Sequence, residues 1–433
     1  MELLKVDTIE EAVKKLGRYA DQLPLYVEKI PHWEALDRIL AEDIVSRENV
    51  PGFKRSTMDG YAVRSSDTSG ASESMPTFLK VKGEVTMGKE PLGNAAYVGV
   101  GECVYVPTGG MIPEGADAVV MVEYCESFGI DEIAVYTSVS TGSNMVFPGD
   151  DVTENQELLK LGRRIKPADI GLLSAVGYTE VQVFRTWKIA IFSTGDEIID
   201  SHDVPALGQM RDVNTFALLT QAKAMGFEVI HYEVIADDEG ILRERVREMM
   251  KDSDLIFISG GSSQGKKDAT AKIINELTST GVLTHGIAVK PGKPTITGFD
   301  EISKTMLIGL PGHPVAAVLL FRIIAGGLWD TAHGIADEQK IRYGLSSLVH
   351  QGVTVGKIST NIAASPGRKT FQLVKFIKNL WCQAPENSEI PTVFPILGKS
   401  GLIRTMSEAD GYIVMDVNDE GLNRGELVKV ILL

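Results

Sequence analysis

KIAIFSTGDE (residues 188–197) and LIFISGGSSQGKKD (residues 255–268) share one construction: an apolar run that breaks into hydroxyl, glycine and acidic residues. Between them lie a helical period at about Asn214–Met225, an apolar run at Glu228–Ile235 and a second helical period at Asp237–Met250; a third follows at about Ala269–Leu277. Parallel strands need long crossovers, and helices of this length supply them, so the alternation predicts a parallel, doubly wound sheet. The apolar runs Ile287–Val289 and Met306–Leu310 are expected to extend it, with a helix from about Pro314 to Leu328 closing it. Ligands of such sheets bind beyond the carboxyl ends of the strands, which makes the loops after strands the place to look.

Outward from this core, Thr8 and Glu11 form a capping-box pattern ahead of Ala12, Val13 and Leu16, and a second amphipathic stretch, read as helical, runs from about Trp33 to Ile44. Short β-rich runs such as Cys103–Val106 and Ala118–Val122 then take over, until helical pattern returns at Pro167–Val176. The reading is an α/β and β multidomain chain. Residues 1–50 with 139–185 form a discontinuous N-terminal α-containing domain, 51–138 an inserted small β domain, 186–335 the central doubly wound α/β domain and 336–433 a C-terminal β domain. In the last, Thr370–Phe376, Tyr412–Asp416 and Glu426–Leu432 read as strands.

Composition agrees with this division. The 433 residues exceed the ~250–300 that one core accommodates. With 44% hydrophobic and 23% charged residues, and no run near the ~18 uncharged apolar residues of a membrane helix, a soluble protein without membrane association is expected. The opening MELLKVDTIEEAVKKL lacks the pattern of a secretory signal, so a cytoplasmic location is expected. Cys103, Cys125 and Cys382 are too scattered for a disulfide framework or thiolate metal site. A net charge of −15 repels phosphate backbones and argues against nucleic acid as a partner. An anionic ligand must then be met by local cations.

The loops offer such chemistry. Ser259–Asp268 places hydroxyls and three glycines between a strand and a helix, where backbone N–H groups and the helix N-terminus attract phosphate or carboxylate. The loop is neither GxGxxG nor GxxxxGK[ST], and an ordinary glycine-rich turn is the competing reading. Lys290 and Lys293 stand in a stretch stiffened by Pro291 and Pro294, suited to a tetrahedral oxyanion, or else are two solvated surface lysines. Asp196, Glu197, Asp237, Asp238 and Asp268 fall on one sheet edge and could hold Mg²⁺. Helix capping competes, above all for Asp237 and Asp238. His313 stands between two prolines in GLPGHP (309–314). No GxSxG elbow or comparable motif supports a nucleophile.

Longer motifs join these loops. Pro51-Gly52-Phe53 with Ser56-Thr57-Met58-Asp59-Gly60-Tyr61-Ala62-Val63 is similar to a PxFxxSxMDGYA signature, and Thr108-Gly109-Gly110 with Pro113-Glu114-Gly115-Ala116-Asp117-Ala118-Val119-Val120 to a TGAxxPxGADAVV stretch. Gly149-Asp150-Asp151-Val152 corresponds to GxDI, and STGDE, SGG-S-G-D, KPGKP and GLPG-PV follow in order. The set resembles the molybdopterin molybdenumtransferases, the MoeA family that includes the E domain of gephyrin, over nearly the whole chain. That resemblance implies four domains and a homodimer with its active site in an inter-subunit cleft. It also implies a Mg²⁺-dependent reaction in which adenylylated molybdopterin takes molybdenum from molybdate and AMP leaves. A molybdopterin adenylyltransferase is then the pathway partner.

The same resemblance implies roles for individual residues. Asp59, Thr108, Asp151, Glu197 and Asp268 would be catalytic. Thr194, Gly195, Ser259, Gly260, Gly261, Ser263, Gly265, Pro311, Gly312 and Pro314 would bind molybdopterin and its phosphates. Lys290, Lys293, Pro294, Arg368 and Ser400 would bind molybdate, and Glu197, Asp237, Asp238 and Asp268 would serve magnesium. Two positions depart from the pattern: His313 stands where the family commonly has Asn, and Ser262 where it usually has a small apolar residue. Within the same fold an adenylyltransferase is the catalytic rival, and a pterin-binding scaffold without turnover is a rival of another class. The MDGYA and TGG motifs and the retained lysines and carboxylates favour the molybdenumtransferase.

Overall fold

A computed structural model describes residues 6–23, 25–260, 267–335, 343, 345–348, 352–376, 390–398, 401 and 403–433. Its centre is a six-stranded sheet in the order Glu228–Ile235, Lys188–Thr194, Leu255–Gly260, Thr305–Pro311, Ile296–Asp300, Val282–His285. The first four strands are parallel and the last two antiparallel. Leu255–Ile258 is buried at every residue, as expected for a strand covered on both faces. Helices α1 (Ile9–Gly17), α3 (Asn214–Ala224) and α6 (Pro314–Ala332) cover one face through Ile9, Leu16, Leu218, Ala222 and most of α6. Helices α4 (Glu239–Met249) and α5 (Lys267–Leu277) cover the other through Leu242, Val246, Ile273 and Ile274. Helix α2 (Pro167–Ala175) lies outside this unit and begins with proline at its first position.

Two expectations about the sheet need correction. Val289–Lys290 does not extend it but pairs in parallel with Lys369–Thr370 of the C-terminal sheet. The edge is instead built by Ile296–Asp300 and Val282–His285, whose antiparallel pairing requires no crossover helix and so leaves no helical period in the sequence.

Helix α6 has 19 residues and is long and apolar enough to cross a membrane by that measure alone, yet 89% of its most apolar 18-residue stretch is buried inside the protein. It is a core helix. Each fully buried Leu, Ile or Phe on it contributes roughly 1.5–3 kcal/mol, and it packs against Phe371, Tyr412 and Ile431 of the C-terminal unit as well as the sheet. In that unit Lys369–Phe376 pairs with both Thr392–Pro395 and Gly411–Met415. With Val353–Ile358 and Leu427–Leu432 this closes five strands into a ring.

The small β unit is a six-stranded sheet in the order Ala118–Met121, Gly60–Val63, Glu102–Val106, Thr77–Glu84, Glu132–Val135, Cys125–Phe128. The chain reaches it and returns along paired segments: Val27–Pro31 with Glu180–Phe184, Ile44–Val45 with Glu157–Leu159, Val50 with Val152, and Arg55–Ser56 with Met145–Val146. The expected helix at Trp33–Ile44 is absent. His32–Glu34 is a single 3-10 turn, Asp37 has φ +64°, and Ile39 and Leu40 are bridged to Arg164 and Val183. Ala35, Leu40 and Ile44 are still buried, so their spacing reported burial correctly and its period wrongly. Burial pushes the thiols of Cys103 and Cys125 up to about 12, which makes them packing groups and not reactive ones; Cys382 lies outside the described residues.

Candidate functional site

Two cavities open where the strand ends of the central sheet meet the C-terminal unit. The first, about 580 Å³, is lined by Lys290, Gly292, Lys293, Pro294, Pro311 and, from the C-terminal unit, Arg368 and Thr370. The second, about 420 Å³, is lined by Ser193, Thr194, Glu197, Arg211, Asn214, Ser259, Gly260 and Pro314. Gly312 and His313 line both, so the two spaces share a wall.

In the first cavity the chain holds the lysines by its backbone. Lys290 is registered against Thr370, and the Lys293 carbonyl accepts from the N–H groups of Ile287 and Thr295, both at 2.9 Å. Gly292 sits at φ +123°, where an added Cβ would lie 2.3 Å from Leu320 Cδ1 of α6. Only glycine lets this segment lie so close to the helix. Three exposed cations from two structural units thus face one space in a chain of net charge −15.

The second cavity is hydroxyl-rich. Ser259 is buried at the end of its strand, and an added Cβ at Gly260 would lie 1.8 Å from Thr194 Oγ1, so glycine is needed for the two strand ends to touch. The Asn214 amide donates to Ser259 Oγ and to the Gly312 carbonyl, both at 2.8 Å. A carbonyl only accepts, which fixes the amide's orientation. Its Oδ1 is buried and has no hydrogen-bond partner among the described residues. Asp212 Oδ1 accepts from Thr215 N at 3.1 Å, and Thr215 Oγ1 donates to Ser193 Oγ at 2.8 Å. Sequence reasoning did not single out Asp212 or Asn214. The available signal was an Asp and an Asn immediately before a helical period, the chemistry of helix starts.

The five carboxylates of the sheet edge take different positions. Glu197 lines the second cavity. Asp196 and Asp237 each accept from the other's backbone N–H, at 2.9 and 3.3 Å respectively, and Asp238 caps α4 by accepting from Ile241 N at 2.9 Å. Asp268 begins within α5, but its side chain lies outside what is described, as do Gly261, Ser263, Gly265 and Ser400. Among the described residues no three His, Cys, Asp or Glu side chains converge on a metal position. Gly195 follows Thr194 at the strand end, its N–H donating to Ile235 O at 3.3 Å.

Asp59 and Thr108 are brought together in the small β unit, far along the chain from both cavities. One Asp59 oxygen accepts from Thr108 N at 2.6 Å and from Thr108 Oγ1 at 2.9 Å. These two donors hold the Asp59 carboxyl below the usual carboxylate value. Asp151 is exposed on the paired segments leading to that unit, its N–H donating to Val50 O at 3.1 Å. Among the described residues none before Ser193 lines either cavity.

Comparison with known proteins covers the whole chain. Residues 7–177 match the MoeA N-terminal region (domains I and II), 190–328 a probable molybdopterin binding domain, and 355–433 the MoeA C-terminal region (domain IV). A protein of Methanocaldococcus jannaschii assigned to molybdopterin biosynthesis is 31% identical, over 100% of this chain and 98% of its own. A molybdopterin molybdenumtransferase of Staphylococcus aureus is 28% identical over 98% of this chain and 95% of its own. The crystal structure of a molybdopterin biosynthesis MoeA protein from Pyrococcus horikoshii superposes with a TM-score of 0.76 at 34% identity, covering 99% of both chains. With this likeness over the full length, the chain belongs to the MoeA family of molybdopterin molybdenumtransferases, transferases of molybdenum cofactor biosynthesis.

Proposed function

We propose that the protein inserts molybdenum from molybdate into adenylylated molybdopterin, with release of AMP and a requirement for Mg²⁺. The observation that carries this reading is the wall of Gly312 and His313 shared by a cationic cavity and a hydroxyl- and glycine-lined one. Lys290, Lys293 and Arg368 suit a doubly charged oxyanion; Thr194, Ser259 and Gly260 suit pterin and phosphate groups. Holding the oxyanion beside the dithiolene replaces an encounter in solution by a high effective molarity, and the fixed cations stabilise charge without reorganising. No nucleophile is required.

Mg²⁺ commonly binds through one or two carboxylates, substrate phosphates and water, without an all-protein cage. Glu197, at the phosphate side, fits that mode, and Asp268 would be its companion. When bound, the ion would neutralise charge on the phosphoanhydride. Asp59, Thr108 and Asp151 would reach the cleft from the second subunit of a homodimer. The protein would work in the cytoplasm, downstream of a molybdopterin adenylyltransferase that supplies its substrate.

The test is to incubate the full chain with adenylylated molybdopterin, molybdate and Mg²⁺ and to measure AMP and pterin-bound molybdenum. AMP release that does not depend on molybdate would remove the reading. Lys293→Ala is expected to raise the molybdate concentration for half-maximal rate by about tenfold or more, the scale of one lost charge-assisted contact, with pterin binding little changed. Equal loss of both would contradict the oxyanion assignment.

A further inference from the structure

Lys369 lies between Arg368 and Thr370, which line the cationic cavity, yet does not line it itself. Its side chain is 5% exposed. A buried ammonium is costly unless paired, and Lys369 is paired twice: with Glu10 of α1 in direct contact, and with Asp416 at 3.6 Å, just past the Gly411–Met415 strand. These two carboxylates come from α1 and from the C-terminal unit, so the pairing of the buried charge draws on both.

The backbone around it forms a closed bracket on the segment that carries the lysines. On one side Asp7 N donates to Gly286 O at 3.1 Å, and Ala288 N donates to Asp7 O at 2.7 Å. On the other, Lys369 N donates to Ala288 O at 2.9 Å, and the register continues as Lys290 against Thr370. Asp7 is itself anchored, its Oδ2 accepting from Lys15 Nζ at 2.6 Å and from Thr284 Oγ1 at 2.8 Å. Ile287, inside the bracket, donates its N–H to the Lys293 carbonyl. The Glu10–Lys369 pair joins the two jaws directly.

We propose that Lys369 is a positioning residue for oxyanion capture: held by Glu10 and Asp416, it sets Arg368 from the C-terminal unit against Lys290 and Lys293 from the central one. The inference rests on the oxyanion reading of the first cavity. It adds that the N-terminal helix, which touches no ligand in that reading, governs the affinity of the site. A displacement on the scale of 1 Å between such cations is enough to change binding or rate by one to two orders of magnitude.

The test uses the full chain and two readouts: equilibrium dialysis with molybdate alone, and steady-state AMP release with molybdate and pterin varied separately. Lys369→Met is expected to weaken molybdate binding and raise its KM by about tenfold, with the KM for the pterin substrate within about twofold. Lys369→Arg, which keeps the charge, is expected to recover most of the loss. Should Lys369→Met fail to fold, Glu10→Gln changes a part-exposed group and is expected to shift molybdate affinity in the same direction by a smaller factor. Unchanged molybdate binding in folded Lys369→Met or Glu10→Gln protein, or parallel loss of molybdate and pterin affinity, would overturn the proposal. A wild-type chain that binds molybdate but releases no AMP would sink the reaction proposed above while leaving the dialysis comparison decisive for Lys369.

Discussion

Thr108 donates both its N–H and its hydroxyl to one oxygen of Asp59, and each bond favours the charged carboxylate. The folded state thereby binds the Asp59 proton less readily than the unfolded chain does. The associated stabilisation is present above the unfolded pKa and is lost as pH falls through the lower folded value. Thr108→Val removes the hydroxyl donor and keeps the backbone one, so the Asp59 titration, followed by carboxyl NMR, is expected to move up towards the usual value without reaching it. A midpoint that stays put would show that the hydroxyl bond is not made in solution. The pair also marks a limit of reading a single sequence: MDGYA and TGG were separately legible as motifs, but 49 residues separate Asp59 from Thr108, and only strand pairing places them together. Asn214 illustrates the converse. Its two donor bonds tie the wall shared by the cavities, Gly312, to Ser259, yet a lone Asn at a helix start looks the same whether or not it touches a site.

At the level of elements, helix α4 separates capping from metal binding. Asp238 is its N-cap, bonded to Ile241 N at 2.9 Å. Asp238→Ala is expected to cost about 1 kcal/mol in urea unfolding, Asp238→Ser much less, with the Mg²⁺ concentration for half-maximal AMP release within about twofold of wild type in both. A tenfold shift in Mg²⁺ response with unchanged stability would instead make Asp238 a ligand. The four parallel strands were legible as short continuous apolar runs alternating with helix-length segments, and the loops that line the second cavity followed from where those strands end. The misreadings occurred where an apolar stretch belongs to an irregular trace or pairs far along the chain. Ala35, Leu40 and Ile44 fill a core from an irregular trace, and Val289–Lys290 is an apolar start with a polar end whose partner lies some 80 residues downstream, in another unit. Nothing local distinguishes a strand that joins its neighbours from one that joins a different sheet.

For the molecule as a whole, the question is where the N-terminal half enters the chemistry. Both cavities are walled by the central and C-terminal units, while Asp59 and Thr108 sit at the strand ends of the small β unit, which is carried on paired segments. If the acting Asp59 belongs to the second subunit of a homodimer, each site draws Lys293 from one chain and Asp59 from the other. Two impaired variants, Lys293→Ala assayed at limiting molybdate and Asp59→Asn, then complement. In a randomly re-associated equal mixture half the dimers are mixed, and each mixed dimer has one site with both defects and one with neither. Activity is expected to return to about a quarter of wild type, and to depend on protein concentration through the dimer equilibrium. Were the site completed within one chain, every site in the mixture would still carry one defect, and AMP release would stay at the level of the separate variants. That contrast distinguishes a shared cleft from an intramolecular one.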